Sequence, residues 1–169
     1  MRSRLDSAVL IALGGNLKAG FASCELLLEA ALDQFAAAGL LLLGRSSWWR
    51  SAAWPDPGEP DYLNGVVIVE TTLAPAAILA ALHGIEERFG RVRSLPNAPR
   101  TLDLDLIAYG RIVSLEISPI LPHPRAAERL FVMGPLAEIA PDWVHPVLGE
   151  TAADLAAKAT VGRDAAPLR

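Results

Sequence analysis

The eight residues Arg100, Thr101, Leu102, Asp103, Leu104, Asp105, Leu106 and Ile107 constrain the fold more than any other stretch. Apolar residues alternate with Thr101, Asp103 and Asp105, the period-2 pattern of a β-strand with one buried and one polar face. Two carboxylates at i and i+2 on one pleated face lie roughly 7 Å apart and repel each other, so strand stability does not select them. They can be the solvated face of an edge strand. A divalent cation resolves the repulsion in a second way, since Mg²⁺ takes carboxylate oxygens and completes its octahedron with water and substrate phosphates. Arg100 immediately upstream favours the metal-phosphate reading.

The surrounding chain predicts alternating strands and helices. Residues 8–13 form an apolar run that reads as a buried strand, closed by a turn at Gly14, Gly15 and Asn16. That glycine pair permits close backbone approach to a ligand, but it lacks the lysine and spacing of a Walker A loop. Residues 23–38 carry helical periodicity, with Ser23 as N-cap and Gly39 as stop. Residues 40–49 read as a second strand, residues 51–60 as a loop and residues 63–70 as a third strand. Pro75 opens a second helix that Gly90 ends. After the carboxylate strand comes a proline-rich passage, then short helical turns over residues 129–143 and a last helix over residues 151–160. Strand, helix, strand, strand, helix, strand is the order of a ferredoxin-like α+β sandwich: three layers, with a central, mainly antiparallel sheet and helices packed on it. That fold hosts many functions and cannot name one.

With 169 residues and no internal repeat or linker, the chain is expected to form a single domain over 1–169, with residues 1–6 and about 161–169 as frayed tails. No apolar run reaches the length of a membrane span, and Asp6 interrupts any signal-peptide pattern, so no membrane association and a cytoplasmic location are expected. The single Cys24 excludes an internal disulfide and is expected to pack in a helix. A net charge of −4 argues against a broad nucleic-acid surface, and nucleic acid is not an expected partner. Net charge says nothing against a local arginine cluster. Arg88, Arg91, Arg93 and Arg100 bracket the irregular segment 90–99, which suggests a polyphosphate clamp on a closing lid.

Several ordered strings are similar to the motifs of the hydroxymethyldihydropterin pyrophosphokinases. They are Ala12, Leu13, Gly14, Gly15, Asn16 and Leu17; Asp61, Tyr62, Leu63 and Asn64; Gly90, Arg91, Val92 and Arg93; and Pro99 through Asp105. Pro122, His123, Pro124 and Arg125, then Arg129 to Val132, then Pro135 to Pro141 extend the resemblance, which covers about residues 8 to 145. It implies an enzyme of folate biosynthesis that moves the β,γ-pyrophosphate of ATP onto the hydroxymethyl group of 6-hydroxymethyl-7,8-dihydropterin, leaving AMP. It also implies two Mg²⁺ ions at Asp103 and Asp105, with Arg91 and Arg100 assisting catalysis. The ATP contacts it implies are Glu86, Arg91, Arg93, Arg100, Leu106, His123 and Arg129. For the pterin it implies Tyr62 and Phe131 as a stacking pair, Asn64 at the ring edge, and Gly14 and Ser51 beside it. A monomer is expected.

The chain departs from the family pattern in three places. Ser94, Leu95, Pro96, Asn97 and Ala98 stand where an arginine and a tryptophan are common, Ser51, Ala52 and Ala53 where Thr-Pro-Pro is common, and Gly15 where Ser is frequent. Trp54 lies just beyond the second of these. Two other classes fit parts of the pattern. A ferredoxin-like ligand-binding module explains the fold without the paired carboxylates, and another two-metal nucleotidyltransferase explains the carboxylates without Tyr62, Asn64 and Phe131.

Overall fold

The computed structural model describes residues 2–54, 56–91 and 101–169. Five helices, α1 (Arg2–Asp6), α2 (Cys24–Leu32), α3 (Pro75–Arg88), α4 (Leu130–Ile139) and α5 (Ala152–Lys158), accompany six strands among these residues. The strands are β1 (Val9–Gly15), β2 (Leu41–Arg45), β3 (Trp49–Ser51), β4 (Tyr62–Glu70), β5 (Asp103–Tyr109) and β6 (Ala166–Pro167). In the sheet they run β5-β1-β4-β3-β6, with β2 also paired to β4, and every pairing is antiparallel. This is the expected ferredoxin-like α+β sandwich, its second strand broken in two.

Pleating divides the side chains between two cores. Ile11, Leu13, Val67, Leu102, Leu104 and Leu106 pack with Leu28 of α2 and Ile78, Leu82 and Ile85 of α3. Leu10, Ala12, Val66 and Ile107 pack with Val132, Met133 and Leu136 of α4 and Leu155 of α5. The sheet is therefore the middle of three layers. A register shift between Leu10 and Ile11 against β5 accommodates Ile107, so Ile107 and Ala108 both face the α4 side.

Local chemistry explains the helix ends. The Ser23 hydroxyl accepts from the Leu26 N–H and the Thr151 hydroxyl from the Asp154 N–H, satisfying donors that the first helical turn leaves open. Pro75 sits at the start of α3, and Gly39 and Gly90 take φ of +83° and +81°, which glycine adopts without a Cβ clash.

Several sequence expectations need correction. β1 continues through Gly14 and Gly15, which pair with Asn64 and Leu63, so the glycines belong to a strand end. The helix expected over 23–38 stops at Leu32 and resumes as a 3-10 turn at Ala36–Ala38. The single strand expected over 40–49 is interrupted where the Ser46 hydroxyl accepts from the Val66 N–H, replacing a regular ladder contact with a side-chain one. Residues 129–143 hold a ten-residue helix, with Pro135 inside it. Both tails carry regular structure among the described residues. Residues 2–6 are helical, and β6 pairs with β3, extended by the Leu168 N–H donating to the Trp48 carbonyl at 2.8 Å. Among the described residues no helix is long and apolar enough to cross a membrane. Cys24 packs against the first core, and burial pushes its thiol pKa up to about 11, which suppresses the reactive thiolate.

Candidate active site

The strand register assembles the site. Asp103 of β5 pairs with Gly14 of β1, Gly14 with Asn64 of β4, and Asn64 with Trp49 of β3, forming one row across four strands. Two positions further into β5, Asp105 pairs with Ala12. Residues opposite one another in antiparallel strands share a face, and this face is the one covered by α4. Leu102, Leu104 and Leu106 turn to the other face, into the α3 core. The alternation thus delivers both carboxylates to one side, as the sequence predicts.

At the β5 end, Arg91 lies just beyond α3 and holds two acids together. Its Nη1 pairs with Glu86, which is 1% exposed, and donates to Asp103 Oδ1 at 2.5 Å. Burial works to lower the Arg91 pKa, but the charges of Asp103 and Glu86 outweigh it and the net shift is upward. Thr101 Oγ1, two residues before Asp103, is buried without a hydrogen-bond partner among the described residues.

The opposite wall comes from the segment entering α4. His123 is anchored by its N–H to the Ile107 carbonyl at 2.8 Å, and its Nδ1 accepts from the Arg125 N–H at 3.3 Å. That contact assigns the ring proton to Nε2 in the neutral form. Burial, with the positive charge of Arg129, lowers the His123 pKa against an opposing contribution from Asp103, which favours the neutral ring. Arg129 is itself lowered, chiefly by burial and the neighbouring Arg125, while Asp105 and Asp103 act in the other direction. Its guanidinium lies 5.7 Å from the centroid of the Phe131 ring, a cation–π distance.

On β3 and β4, Asn64 Nδ2 donates to Ser51 Oγ at 3.0 Å, and Tyr62 is opposite Ser51. Asn64 is 6% exposed and reaches over Gly14, where a Cβ would lie 3.5 Å from Asn64 Oδ1. A Cβ at that distance would make ordinary van der Waals contact, so the amide lies directly over the Gly14 backbone.

The chain that builds this arrangement is similar to known proteins. Residues 10–141 match the family model of 7,8-dihydro-6-hydroxymethylpterin-pyrophosphokinase (HPPK). The chain belongs to that family. It is 43% identical over 143 residues to a 2-amino-4-hydroxy-6-hydroxymethyldihydropteridine pyrophosphokinase of Synechocystis, covering 84% of this chain and 71% of that one. It is 38% identical over 133 residues to the protein of the same name from Methylorubrum extorquens, covering 78% and 83% of the two chains. The folic acid synthesis protein fol1 of Pneumocystis carinii is 38% identical over 144 residues, and this chain spans 19% of its length. A Plasmodium falciparum HPPK-DHPS structure superposes with a TM-score of 0.68 at 14% identity, covering 92% of this chain and 46% of that one, and so shares the fold.

Within the family framework, most residues expected at the site are brought together. Asp103, Asp105, Arg91, Glu86, His123 and Arg129 form one electrostatically coupled group, and Gly14, Asn64, Ser51 and Tyr62 form the adjoining strand surface. The Leu106 side chain turns, by period 2, away from Asp105 into the α3 core. Arg93, Arg100 and the proposed lid from Val92 onward lie outside the described residues. Trp54 is 79% exposed. Sequence reasoning did not single out Thr101, although its place in the alternation with Asp103 and Asp105 was visible.

Proposed function

We propose that this protein transfers the β,γ-pyrophosphate of ATP to the hydroxymethyl group of 6-hydroxymethyl-7,8-dihydropterin, releasing AMP and forming the pterin diphosphate used in folate synthesis. The observation that carries the proposal is the row Asp103, Gly14, Asn64 within the family-matched segment. Two strand spacings, roughly 10 Å, separate the carboxylate from the amide. That is the scale of a bicyclic heteroaromatic ring with a one-carbon arm. A pterin whose edge meets Asn64 therefore directs its hydroxyl towards Asp103 and Asp105.

Attack of the alcohol oxygen on the β-phosphorus breaks the bond from that phosphorus to the bridging oxygen that leaves with AMP. Such a transfer asks the protein for alignment and charge compensation. Two carboxylates on one strand face, with the buried Thr101 hydroxyl two residues before them and without a hydrogen-bond partner among the described residues, are a hard oxygen donor set that suits Mg²⁺. Asp103 and Asp105 would hold two such ions, which supply charge neutralisation and a more acidic hydroxyl. Arg91 can yield Asp103 and keep Glu86 as its partner, so admitting a cation leaves that guanidinium paired. His123 Nε2–H and Arg129 present donors to phosphate oxygens, joined by Arg93 and Arg100 on the family pattern. Tyr62 and Phe131 hold the pterin faces, with Ser51 and Gly14 beside its edge.

The test is AMP release from ATP with and without the hydroxymethylpterin, in Mg²⁺ and after chelation. Release that requires both pterin and Mg²⁺ is expected. Pterin-independent AMP release would favour another nucleotidyltransferase, and pterin binding without turnover a ligand-sensing module.

A further inference from the structure

The family match ends at residue 141, yet the chain beyond it returns to the site. The N–H groups of Thr160 and Val161 donate to the Glu128 carbonyl at 3.0 and 2.9 Å, and the Leu130 N–H donates back to the Val161 carbonyl at 2.9 Å. This fastens residues 160–161 alongside Arg129, the residue that opens α4. Gly162 follows with φ +67°, where a Cβ would stand 2.4 Å from Phe131 Cδ1, so the ring rests against bare backbone. Two residues on, Asp164 Oδ2 accepts from the Ala52 N–H at 2.6 Å, and Ala166 and Pro167 pair with Arg50 and Trp49.

One short segment thus touches two walls of the pocket that belong to different elements: Phe131 on α4, and the Ser51 and Ala52 end of β3. We propose that residues 160–168 act as a strut that sets the spacing of the pterin pocket, with Gly162 and Asp164 as positioning residues. The proposal rests on the pterin assignment given above. Gly162 lets the Phe131 ring settle against the chain. Asp164 fixes the first peptide beyond β3, where Ala52 has an N–H to offer. A proline there would lock φ and could not donate, so the carboxylate supplies from outside a constraint that the local sequence lacks.

The full-length chain carrying Asp164→Ala should show a pterin KM raised about tenfold, with the ATP KM and kcat within about twofold of the parent, since a charge-assisted hydrogen bond to one wall is lost. Asp164→Asn retains an acceptor oxygen and should stay close to the parent. Gly162→Ala should also raise the pterin KM, and by less when Phe131 is already Ala, because the clash with the ring is then gone and only the strain of a Cβ at φ +67° remains. AMP release by the parent chain reports on the reaction, while the ratio of variant to parent pterin KM reports on the strut, so the two readings fail separately. A parent-like pterin KM in Asp164→Ala would overturn the strut. Equal rises in both KM values, no rescue by Asn, or additive effects of Gly162→Ala and Phe131→Ala would also overturn it by showing general loosening.

Discussion

Two arginine-carboxylate clusters sit at different places in the molecule, and their difference separates a brace from a site. Arg45 of β2 meets Glu29 of α2 through two parallel hydrogen bonds of 2.7 and 2.6 Å, and the same carboxylate accepts from Trp48 Nε1 at 2.9 Å. The Arg45 guanidinium also lies 5.3 Å from the Trp48 ring centroid. One cation and one anion, both about two-fifths exposed, form a closed set that joins a helix to a strand. Arg91 is instead 14% exposed and divides itself between buried Glu86 and Asp103, with Asp105 two residues along. A guanidinium serving two carboxylates can release one to an incoming cation and keep the other. The second cluster is thus built for exchange, while the first is built for permanence.

The largest effect should come from breaking the exchangeable cluster. Asp103→Ala and Asp105→Ala should each reduce turnover by at least about 10³-fold, because on the proposed assignment each loses a metal ligand and with it several kcal/mol of transition-state stabilisation. Melting temperatures should stay near that of the parent, since Glu86 still pairs with Arg91 in either variant. Steady-state kinetics across Mg²⁺ concentrations, alongside thermal melts, decide the matter. Near-normal Mg²⁺-dependent turnover in either variant would remove the metal assignment.

A smaller loss is expected where the site depends on apolar contact. Phe131→Ala should weaken pterin binding by about 1–3 kcal/mol through lost burial and stacking, and leave an ATP analogue nearly unaffected. Calorimetric titration of each ligand separates the outcomes. Equal losses for both would mean that the ring's main service is to the packing of α4 around Val132 and Met133.

The same contrast shows what could be read from the chain alone. Alternation between leucine and aspartate placed Asp103 and Asp105 on one face and predicted β5, because period 2 is a local property. Ser23, Thr151, Pro75, Gly39 and Gly90 marked helix ends for equally local reasons. Residues 40–49 concealed a break because Ser46 competes for a backbone donor on β4, a partner twenty residues away. Pro135 argued for short turns, yet burial of Val132, Met133 and Leu136 keeps α4 continuous through it. The tail suggested fraying, while Asp164 finds Ala52 across 112 positions of sequence. Pairings of that span carry no periodic signal. Glu86 entered only through resemblance, and its burial beneath Arg91 emerged from the fold.

The smallest effect should come from breaking the brace. Glu29→Gln keeps the side-chain shape and one acceptor for Trp48, but removes the charge that Arg45 pairs with. An exposed pair of this kind contributes roughly 0.2–1 kcal/mol, so the melting temperature at neutral pH should fall by no more than about 4 °C. Its pH dependence carries a distinguishing sign. The Arg45 hydrogen bond is the main influence that lowers the Glu29 pKa from its ordinary value of 4.5, against an opposing contribution from burial. The folded state therefore holds fewer protons than the unfolded state between the two pKa values. The contribution of Glu29 is fully present above 4.5 and is lost as pH falls through the lower folded value. Parent and Glu29→Gln melting curves should consequently converge below pH 4.5, while pterin-dependent turnover at pH 7 matches between the two. A gap that persists at low pH would mean that shape and the Trp48 contact hold α2 to β2. A loss of turnover would mean that the brace and the site are mechanically coupled, and the distinction between the clusters would fall.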